Sequence, residues 1–409
     1  MEIFVSAGEA SSDIHCALLI RELRKLGGDF TTFGLGGDKL KAEGTKLLMH
    51  NHEFSAGGGP LEVVALLPRR HRLERMLEER LFNGKPVYGA ILCDNGEINL
   101  RLASLLHFFN VPIVYFIPPK VWVWRHSRIE AIEQHVDLVL SILPFEEPIY
   151  RHWEIPFKYV GNPLIDEVDT SMTEQQAKQR LGIAVDKNVL TVFAGSRYNE
   201  VKYHAALFGA GIRKFVEALP AGESKPLILL PAAPAIDAEM LKAVFAAELS
   251  SVGCEVQVVK EKSHECLRAA RAALVKSGTS TLEAALLGTP MILAYHSSKS
   301  SEWLYRHVVR YRGFVGLVNL FLADSPEAAL GWEPGSNLKP VVPELILEKC
   351  TPSNIATELT SIYFDTPARQ AMLRQLARTR SLLLPKGAIS PLLAAAQATH
   401  ELFARSPDV

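Results

Sequence analysis

The sequence predicts an α/β protein with two doubly wound parallel-sheet domains. Its 409 residues exceed what one hydrophobic core usually serves. Short apolar runs alternate with helical patterns along the chain, which is typical of buried parallel strands joined by helices. The alternation pauses at the polar stretch 161–182 and then starts again. We therefore expect two domains that face each other across a cleft.

Each domain has its own series of predicted elements. In the first domain we expect strands at EIFVSAG, GAILCD, PIVYFI, DLVLSIL and FKYVG. In the second we expect them at NVLTVFAGS, PLILLPAA, CEVQVVK, ALVKSG and PMILAYH. The patterns after about residue 366 are helical only, and one of these helices would return to the first domain. The predicted bounds are 1–168 with 386–409 for the first domain and 169–385 for the second.

Composition argues against several classes of function. Lys and Arg total 44 against 45 Asp and Glu, so no global positive field would hold a nucleic acid. The 5 cysteines are scattered without a C-x-x-C pair, which argues against a disulfide framework or a zinc site. His50, His52 and Glu53 are not expected to bind a metal. The start of the chain lacks an export signal and prolines break the most apolar region, so we expect a cytoplasmic protein without a membrane span.

Asp94 is the candidate catalytic residue. In an open parallel sheet, ligands bind beyond the carboxyl ends of the strands, and CDNGEIN places Asp94 at such an end, followed by Glu97 and Asn99. A carboxylate there is a candidate general base, provided that burial moves its pKa toward the working pH. The alternative is that Asp94 only caps the helix that follows.

The loop KSGTSTLE in the second domain is a candidate phosphate site. It places Gly278 at a tight turn and the hydroxyls of Thr279 and Ser280 at a helix start. Free N–H groups and the positive end of the helix dipole favour an anion there. Glu283, one turn into the helix, is suited to accept hydrogen bonds from a ribose diol. The alternative is an ordinary helix cap.

The loop AGSRYNE repeats this arrangement with Ser196 and Arg197. The guanidinium of Arg197 is suited to a phosphate, although a surface arginine on a turn gives the same pattern. The chain lacks a P-loop, and no G-x-G-x-x-G follows the first strand, which argues against a triphosphatase or a dinucleotide enzyme. No D-x-D motif occurs either. The two loops suit a nucleoside diphosphate leaving group that is held without a metal or a cofactor.

Two stretches of the first domain are candidates to face an acceptor. SAGEASSD would present polar groups to the cleft, unless Ser11 or Ser12 only caps the helix. IPPKVWVWR places two tryptophans before an arginine, which indicates either aromatic side chains in a core or the wall of a cleft for a large ligand. The candidate acceptor-side residues are Gly8, Glu9, Ser11, Asn99, Trp122, Trp124 and Arg125.

Two segments combine basic and apolar side chains. This pattern suits either an anionic bilayer surface or a solvated helix over a core stripe. The first segment, ALLPRRHRLERML, carries Arg69, Arg70, Arg72 and Arg75. The second, EWLYRHVVRYRGFVG, carries Arg306, Arg310 and Arg312.

The order of these motifs resembles the lipid-A-disaccharide synthase family, inverting glycosyltransferases of bacterial outer-membrane lipid assembly. The resemblance covers nearly the whole chain, from SAGEASSD through VWVWR, LPFE and YVGNPLID to GSRYNE, SGTSTLEAALLGTPMILAY and VPELI. VWVWR together with LPFE is quite specific. GTSTLEAALLGTP is shared loosely by many two-domain sugar-nucleotide enzymes.

The family implies the GT-B architecture, in which two Rossmann-like domains are followed by a C-terminal helix that returns to the first. It also implies that UDP-2,3-diacylglucosamine and 2,3-diacylglucosamine 1-phosphate would give a β-1,6 disaccharide and UDP, on the cytoplasmic face of the inner membrane. Asp94 would take the proton from the acceptor hydroxyl. The residues implied for UDP are Ser196, Arg197, Thr279, Ser280 and Glu283, with Asn319 nearby. Those implied for the sugar and acyl site are Trp122, Trp124 and Arg125.

The sequence departs from the family pattern at several motifs. Ser12 stands at a glycine position, NGEI replaces the middle of D-x-P-D-F-N, Asn162 stands where a histidine is usual, and SAGGGPLEV is looser than S-x-M-G-x-x-E-V. These changes would face the cleft and weaken or redirect activity. A UDP-N-acetylglucosamine 2-epimerase-like enzyme and a catalytically weakened UDP-sugar or lipid-binding descendant are the alternatives. The oligomeric state is open, with a homodimer as one option.

Overall fold

The chain folds into two α/β units. The computed structural model describes all residues except 28, 55–65, 85, 123–126, 235, 299–301, 304, 306, 308–310, 334–337 and 406–409. One compact unit consists of Met1–Pro163 with Leu383–Val409, and the other of Leu164–Leu382. Each described unit has a parallel sheet flanked by helices, so the fold class predicted from the sequence is confirmed.

The sheet of the first unit has 7 strands in the order β3-β2-β1-β4-β5-β6-β7, paired in parallel. The strands are β1 Glu2–Ala7, β2 Thr31–Gly36, β3 Lys46–His50, β4 Val87–Cys93, β5 Ile113–Phe116, β6 Leu138–Ser141 and β7 Phe157–Tyr159. The sequence patterns do not predict β2 and β3, because glycines interrupt TTFGLG and polar residues flank the three apolar residues of KLLMH. A 3-10 helix, Asn51–Phe54, follows β3.

The helices of the first unit cover both faces of this sheet. Those before the second unit are α1 Ala10–Lys25, α2 Asp38–Ala42, α3 Leu67–Phe82, α4 Gly96–Phe108, α5 Ser127–His135 and α6 Glu147–His152, with a 3-10 helix at Pro144–Glu146. None of the described helices in either unit is long and apolar enough to span a bilayer.

The sheet of the second unit has 6 strands in the order β10-β9-β8-β11-β12-β13, also paired in parallel. The strands are β8 Val189–Phe193, β9 Leu227–Ala232, β10 Val256–Lys260, β11 Ala272–Lys276, β12 Met291–Tyr295 and β13 Glu344–Ile346. The helices are α7 Leu164–Glu167, α8 Glu174–Leu181, α9 Tyr198–Glu217, α10 Ala238–Leu249, α11 Ser263–Ala269, α12 Ser280–Leu286, α13 Leu317–Leu322, α14 Pro326–Ala329, α15 Pro352–Tyr363, α16 Pro367–Leu376 and α17 Thr379–Leu382. Two 3-10 helices lie at Ser250–Val252 and Leu347–Lys349.

The last helix, α18 Pro391–Arg405, belongs to the first unit. Its buried residues Ala395, Ala396 and Phe403 join the core that β1, β4 and α1 form. Gly89 in β4 leaves space for this helix, since a Cβ there would lie 2.5 Å from the ring of Phe403. The hydrophobic core of the first unit therefore includes the end of the chain.

Each sheet has one point where the strand order reverses direction. In the first sheet this switch point lies between β1 and β4, and in the second between β8 and β11. The loops after two such strands diverge to opposite faces of the sheet and leave a crevice at its carboxyl edge. The loops that carry Gly8, Asp94, Ser196 and Gly278 follow these four strands.

Candidate active site

The switch point of the first unit brings the loop after β1 against the loop after β4. Gly8 is the first residue after β1, and a Cβ built on it would lie 2.7 Å from the Nδ2 atom of Asn95. Glycine therefore leaves space for the Asn95 side chain to pack directly on this loop. This contact places the start of α1 beside the Asp94 loop.

Asp94 and Asn95 both adopt left-handed backbone conformations, with φ of 52° and 34°. Asn95 is the N-cap of α4 and makes no side-chain capping hydrogen bond. The interpretation of Asp94 as a helix cap is therefore wrong. Consecutive non-glycine residues in this sparsely populated region are costly and are found mainly where function requires them.

Asn99 fixes this strained loop from within the protein. Its side-chain amide donates hydrogen bonds to the carbonyl oxygens of Cys93 and Asp94, each at 2.9 Å, and its Oδ1 accepts one from Ser6 at 2.6 Å. The Tyr115 hydroxyl donates a further hydrogen bond to the Asp94 carbonyl at 2.8 Å. Asn99 is fully buried, so its place is behind Asp94 rather than on the acceptor side.

Burial raises the pKa of the Asp94 carboxyl above its usual value. The N–H of Asn95 and the nearby basic side chains of Lys120, His15 and Arg128 oppose this rise. Arg128 also forms an ion pair with Glu97 and is mostly buried. A carboxylate with a raised pKa is a stronger proton acceptor than an exposed aspartate.

The start of α1 differs from the sequence interpretation. The N-cap is Glu9, and its N–H donates to the Ser12 hydroxyl at 2.9 Å, so neither Ser11 nor Ser12 is the N-cap. Asp13 accepts hydrogen bonds from the N–H groups of Gly37, Lys39 and Leu40 and thereby holds the start of α2. Glu9 and Ser11 remain the exposed polar residues of this loop.

Trp122 lies in the core. The residue is 5% exposed, its Nε1 donates to Glu146 Oε1 at 3.0 Å, and its ring packs edge-on against Phe145 at 5.4 Å. Of the two interpretations of IPPKVWVWR, the structure favours the core aromatic for this tryptophan. Trp124 and Arg125 lie outside the described residues.

Glu146 is a buried carboxyl that the sequence analysis missed. It is 1% exposed and accepts hydrogen bonds from Trp122 and from the Ser141 hydroxyl, the latter at 2.6 Å. Burial raises its pKa to about 7, against the opposing hydrogen bonds from Ser141 and Trp122. Its position in LPFE, directly after a buried strand, is the signal in the sequence.

The departures from the family motifs at Ser12 and Asn162 lie inside the protein. Ser12 is 1% exposed and closes the first turn of α1. Asn162 is 3% exposed; its N–H donates to the Leu383 carbonyl at 2.8 Å and its side chain to the Ile142 carbonyl at 3.4 Å. The expectation that these two changes face the cleft is therefore wrong.

The switch point of the second unit contains a pocket of about 420 Å³. Its wall includes the ends of β8, β9 and β11 and the loops after them. The predicted residues on it are Ser196, Gly278, Thr279, Ser280 and Glu283. Residues from two separate loops therefore meet at one concave surface, and the pocket volume is within the usual range of small-molecule sites.

Arg197 lies at the edge of this region. It is the N-cap residue of α9, and its side chain is 72% exposed. Glu200 Oε2 accepts hydrogen bonds from the N–H groups of Ser196 and Arg197, and Glu200 Oε1 lies 2.7 Å from Lys276 Nζ. Glu200 and Lys276 are not among the residues that the sequence motifs predict. A lysine that ends a buried strand was the available signal.

Glu283 has a raised pKa. Burial and the negative charge of Glu167 raise it to about 7. His264 Nε2 lies 3.7 Å from Glu283 Oε2. A carboxyl with a pKa near 7 on the pocket wall is suited to exchange hydrogen bonds with neutral hydroxyl groups.

Asn319 does not reach this pocket. Its side chain is buried on α13, donates to the Val342 carbonyl at 2.8 Å and to Glu344 Oε1 at 2.7 Å, and accepts from the Val342 N–H at 2.9 Å. These bonds tie α13 to β13, so the structure gives Asn319 a structural position instead of a nucleotide contact.

No cluster of metal ligands is found within the part of the chain that the structure describes. His50 and His52 approach each other with their Nδ1 atoms 2.6 Å apart, and Glu53 accepts the N–H of His50.

The two Rossmann-like units have the GT-B fold, as the sequence predicts. The structure of UDP-GlcNAc 2-epimerase from Neisseria meningitidis aligns with a TM-score of 0.56 over 99% of this chain and 100% of that chain, at 14% identity. The calicheamicin glycosyltransferase CalG4 aligns with a TM-score of 0.56 over 100% and 99%, at 15% identity. Identities this low show the fold alone.

Sequence comparison then defines the family. The model of the family described as lipid-A-disaccharide synthetase matches residues 3–382. A lipid-A-disaccharide synthase of Myxococcus xanthus (strain DK1622) is 34% identical over 386 residues, which cover 94% of both chains. The chain belongs to the lipid-A-disaccharide synthetase family, which confirms the resemblance seen in the motifs.

Proposed function

We propose that this chain is the glycosyltransferase that joins UDP-2,3-diacylglucosamine to 2,3-diacylglucosamine 1-phosphate. The products are the β-1,6-linked disaccharide 1-phosphate and UDP. Family membership supports the reaction class. The observation that carries the chemistry is Asp94, a partly buried carboxylate in a strained loop at the switch point of the first unit.

In this mechanism, Asp94 is the general base. Its carboxylate takes the proton of the acceptor 6-hydroxyl while that oxygen attacks the anomeric carbon of the donor. The bond from the anomeric carbon to the diphosphate oxygen breaks, and its electron pair leaves with UDP. Attack from the face opposite the leaving group inverts the anomeric configuration. The hydrogen bonds from Asn99 and Tyr115 hold the Asp94 main chain so that little reorganisation is needed.

The second unit is proposed to bind the UDP part of the donor. The pocket presents the hydroxyl groups of Ser196, Thr279 and Ser280 to the diphosphate, and Glu283 to the ribose. Positive charge at the pocket and at Arg197 would stabilise the departing diphosphate, so that the reaction needs no metal ion or cofactor. The first unit is proposed to bind the acceptor and its acyl chains.

A membrane-facing surface is proposed on α3. This helix buries Leu73 and Leu77 and exposes Arg69, Arg72 and Arg75, which follow each other at three-residue spacing on one side. Such a row suits the anionic cytoplasmic leaflet from which acylated substrates come. We therefore propose a peripheral location on the inner face of the inner membrane. In the second basic segment, Arg306 and Arg310 lie outside the described residues.

The experiment measures UDP release from UDP-2,3-diacylglucosamine in detergent with EDTA, with and without 2,3-diacylglucosamine 1-phosphate. Release that depends on the acceptor, with a disaccharide product, is the expected result. Bound UDP without release would reject the enzyme in favour of a binding protein. Formation of a free epimerised sugar would instead support the epimerase alternative.

A further inference from the structure

One carboxylate joins the two loops at the switch point of the second unit. Glu200 Oε2 accepts hydrogen bonds from the N–H of Ser196 at 3.0 Å and of Arg197 at 3.4 Å. Its Oε1 lies 2.7 Å from Lys276 Nζ. Gly195 permits this approach, since a Cβ there would lie 2.6 Å from the Cβ of Glu200. The end of β8 is therefore tied to the end of β11 through side chains.

Lys276 is fixed on the wall of the pocket. The Lys276 side chain is 19% exposed and that of Glu200 is 15% exposed. The Lys276 ammonium lies 5.9 Å from the ring centre of Tyr295. An ammonium group has three N–H donors, and the hydrogen bond to Glu200 uses one. Lys276 lines the pocket together with Ser196 and Gly278. It is thus placed to donate to an anion that enters there.

The charges around Glu200 favour a polyanionic ligand. Arg197 Nη1 lies 3.9 Å from Glu200 Oε1, so two cations surround one carboxylate and a net positive charge results. Arg197 is 72% exposed, and solvent and salt therefore screen its charge strongly. Without Lys276 the cluster would be neutral overall.

We propose that Lys276 is the principal cation that binds the diphosphate of the sugar nucleotide, with Glu200 fixing its ammonium at the pocket wall. The inference rests on the proposed function, which supplies the UDP ligand. Lys276 is less exposed than Arg197, so its charge is less screened and contributes more to diphosphate affinity. Arg197, which the sequence motif indicates as the diphosphate ligand, contributes less to the affinity than Lys276.

The test is the affinity of the full-length protein for UDP, UMP and uridine, measured by NMR titration at low and at high salt. Lys276→Met should weaken UDP binding by about 10- to 100-fold and leave uridine binding unchanged. Arg197→Met should weaken UDP binding less, and Lys276→Arg should retain most of it because the positive charge is kept. Lys242→Met, which removes an exposed lysine of α10, is the matched control and should bind all three ligands like the wild type.

The possible outcomes separate the inference from the proposed function. If Lys276→Met binds UDP as strongly as the wild type does, the inference is overturned and the proposed function stands. A loss of uridine binding equal to the loss of UDP binding also overturns it, since the effect is then not on the diphosphate. If the wild type fails to bind UDP, both are overturned. If thermal melting shows that Lys276→Met does not fold, Lys276→Gln replaces it, with the same expected changes in UDP and uridine affinity.

Discussion

The side-chain nitrogen of Asn99 lies 2.9 Å from the carbonyl oxygen of Asp94 and donates a hydrogen bond to it. This bond ties the strained loop after β4 to the first turn of α4. The Ser6 hydroxyl, which donates to Asn99 Oδ1, extends the same connection to β1. A buried amide between two strands of the switch point thus fixes the position of the proposed base.

Replacing Asn99 by alanine should impair both activity and folding. The substitution leaves the carbonyls of Cys93 and Asp94 without their buried donor, which costs about 1 to 3 kcal/mol of unfolding free energy. We expect kcat to fall by about 10-fold or more, with UDP affinity unchanged. Urea unfolding and steady-state kinetics measure the two effects. Ser6→Ala is the control, because it removes only the hydrogen bond from Ser6 to Asn99 and leaves the bonds from Asn99 to Cys93 and Asp94. A normal kcat in Asn99→Ala would contradict the role of Asn99.

Asp94→Asn should abolish most turnover. Asparagine tolerates the left-handed backbone of this position and keeps the shape of the side chain, but it does not accept the proton. The loss of a general base lowers kcat by about 100- to 10,000-fold. The measurement is disaccharide formation, with UDP affinity as the control for folding. Full turnover by this variant would remove Asp94 from the mechanism.

Removing the charge of Lys120 should shift the pH dependence of activity. Burial raises the pKa of Asp94, and Lys120 is among the groups that lower it. Activity requires the carboxylate, so it rises with pH through this pKa. In Lys120→Met the pKa is higher, and the acidic limb of kcat/KM should move up by about 0.2 to 0.7 pH units.

The matched control for this pH shift is Lys158→Met, which removes an exposed lysine of β7. It should leave the profile in place. An acidic limb of Lys120→Met that coincides with that of the wild type would exclude Asp94 as the titrating group.

Glu146 should make the folded protein less stable as the pH rises. Its pKa is about 7 in the folded protein and near 4.5 when exposed, so the folded state binds more protons than the unfolded state between these values. Unfolding free energy therefore falls from about pH 4.5 to about pH 7. Glu146→Gln lacks this dependence. Between pH 5 and pH 8, its unfolding free energy should rise relative to that of the wild type by on the order of 1 to 3 kcal/mol.

Urea unfolding at pH 5 and pH 8 measures this difference. Glu147→Gln, at a neighbouring exposed carboxylate, should follow the pH dependence of the wild type. An identical pH dependence in Glu146→Gln and the wild type would show that Glu146 is ionised throughout.

The arginines of α3 should contribute to membrane binding. Neutralising Arg69, Arg72 and Arg75 to glutamine should weaken sedimentation with anionic vesicles, by about 1 kcal/mol for each basic residue near the surface. Arg70→Gln is a control on the same helix, since Arg70 is 15% exposed and pairs with Glu74 at 3.5 Å. Unchanged sedimentation of the triple variant would exclude this face of α3.

The sequence by itself determined the fold class and the loops in which the site is proposed. Strands that are covered by helices on both faces of a sheet appear in the sequence as continuous apolar runs. In a parallel sheet, the polar residues directly after each such run lie at the carboxyl edge of the sheet. This local rule located Asp94, Ser196 and the Gly278 loop. It missed β2, β3 and β13, because glycines interrupt β2, and β3 and β13 contain only three and two consecutive apolar residues.

Only the tertiary structure decided which polar side chains face inward. Asn99, Asn319 and Trp122 look like site residues in the sequence, yet each has its hydrogen bonds satisfied by buried partners. The Glu200–Lys276 pair joins positions 76 residues apart in the sequence. The Trp122–Glu146 hydrogen bond joins the segment after β5 to the segment after β6. The sequence pattern of one helix or strand shows which of its residues are buried. The orientation and charge state of a polar side chain depend instead on hydrogen-bond partners that are distant in the sequence and come close only on folding.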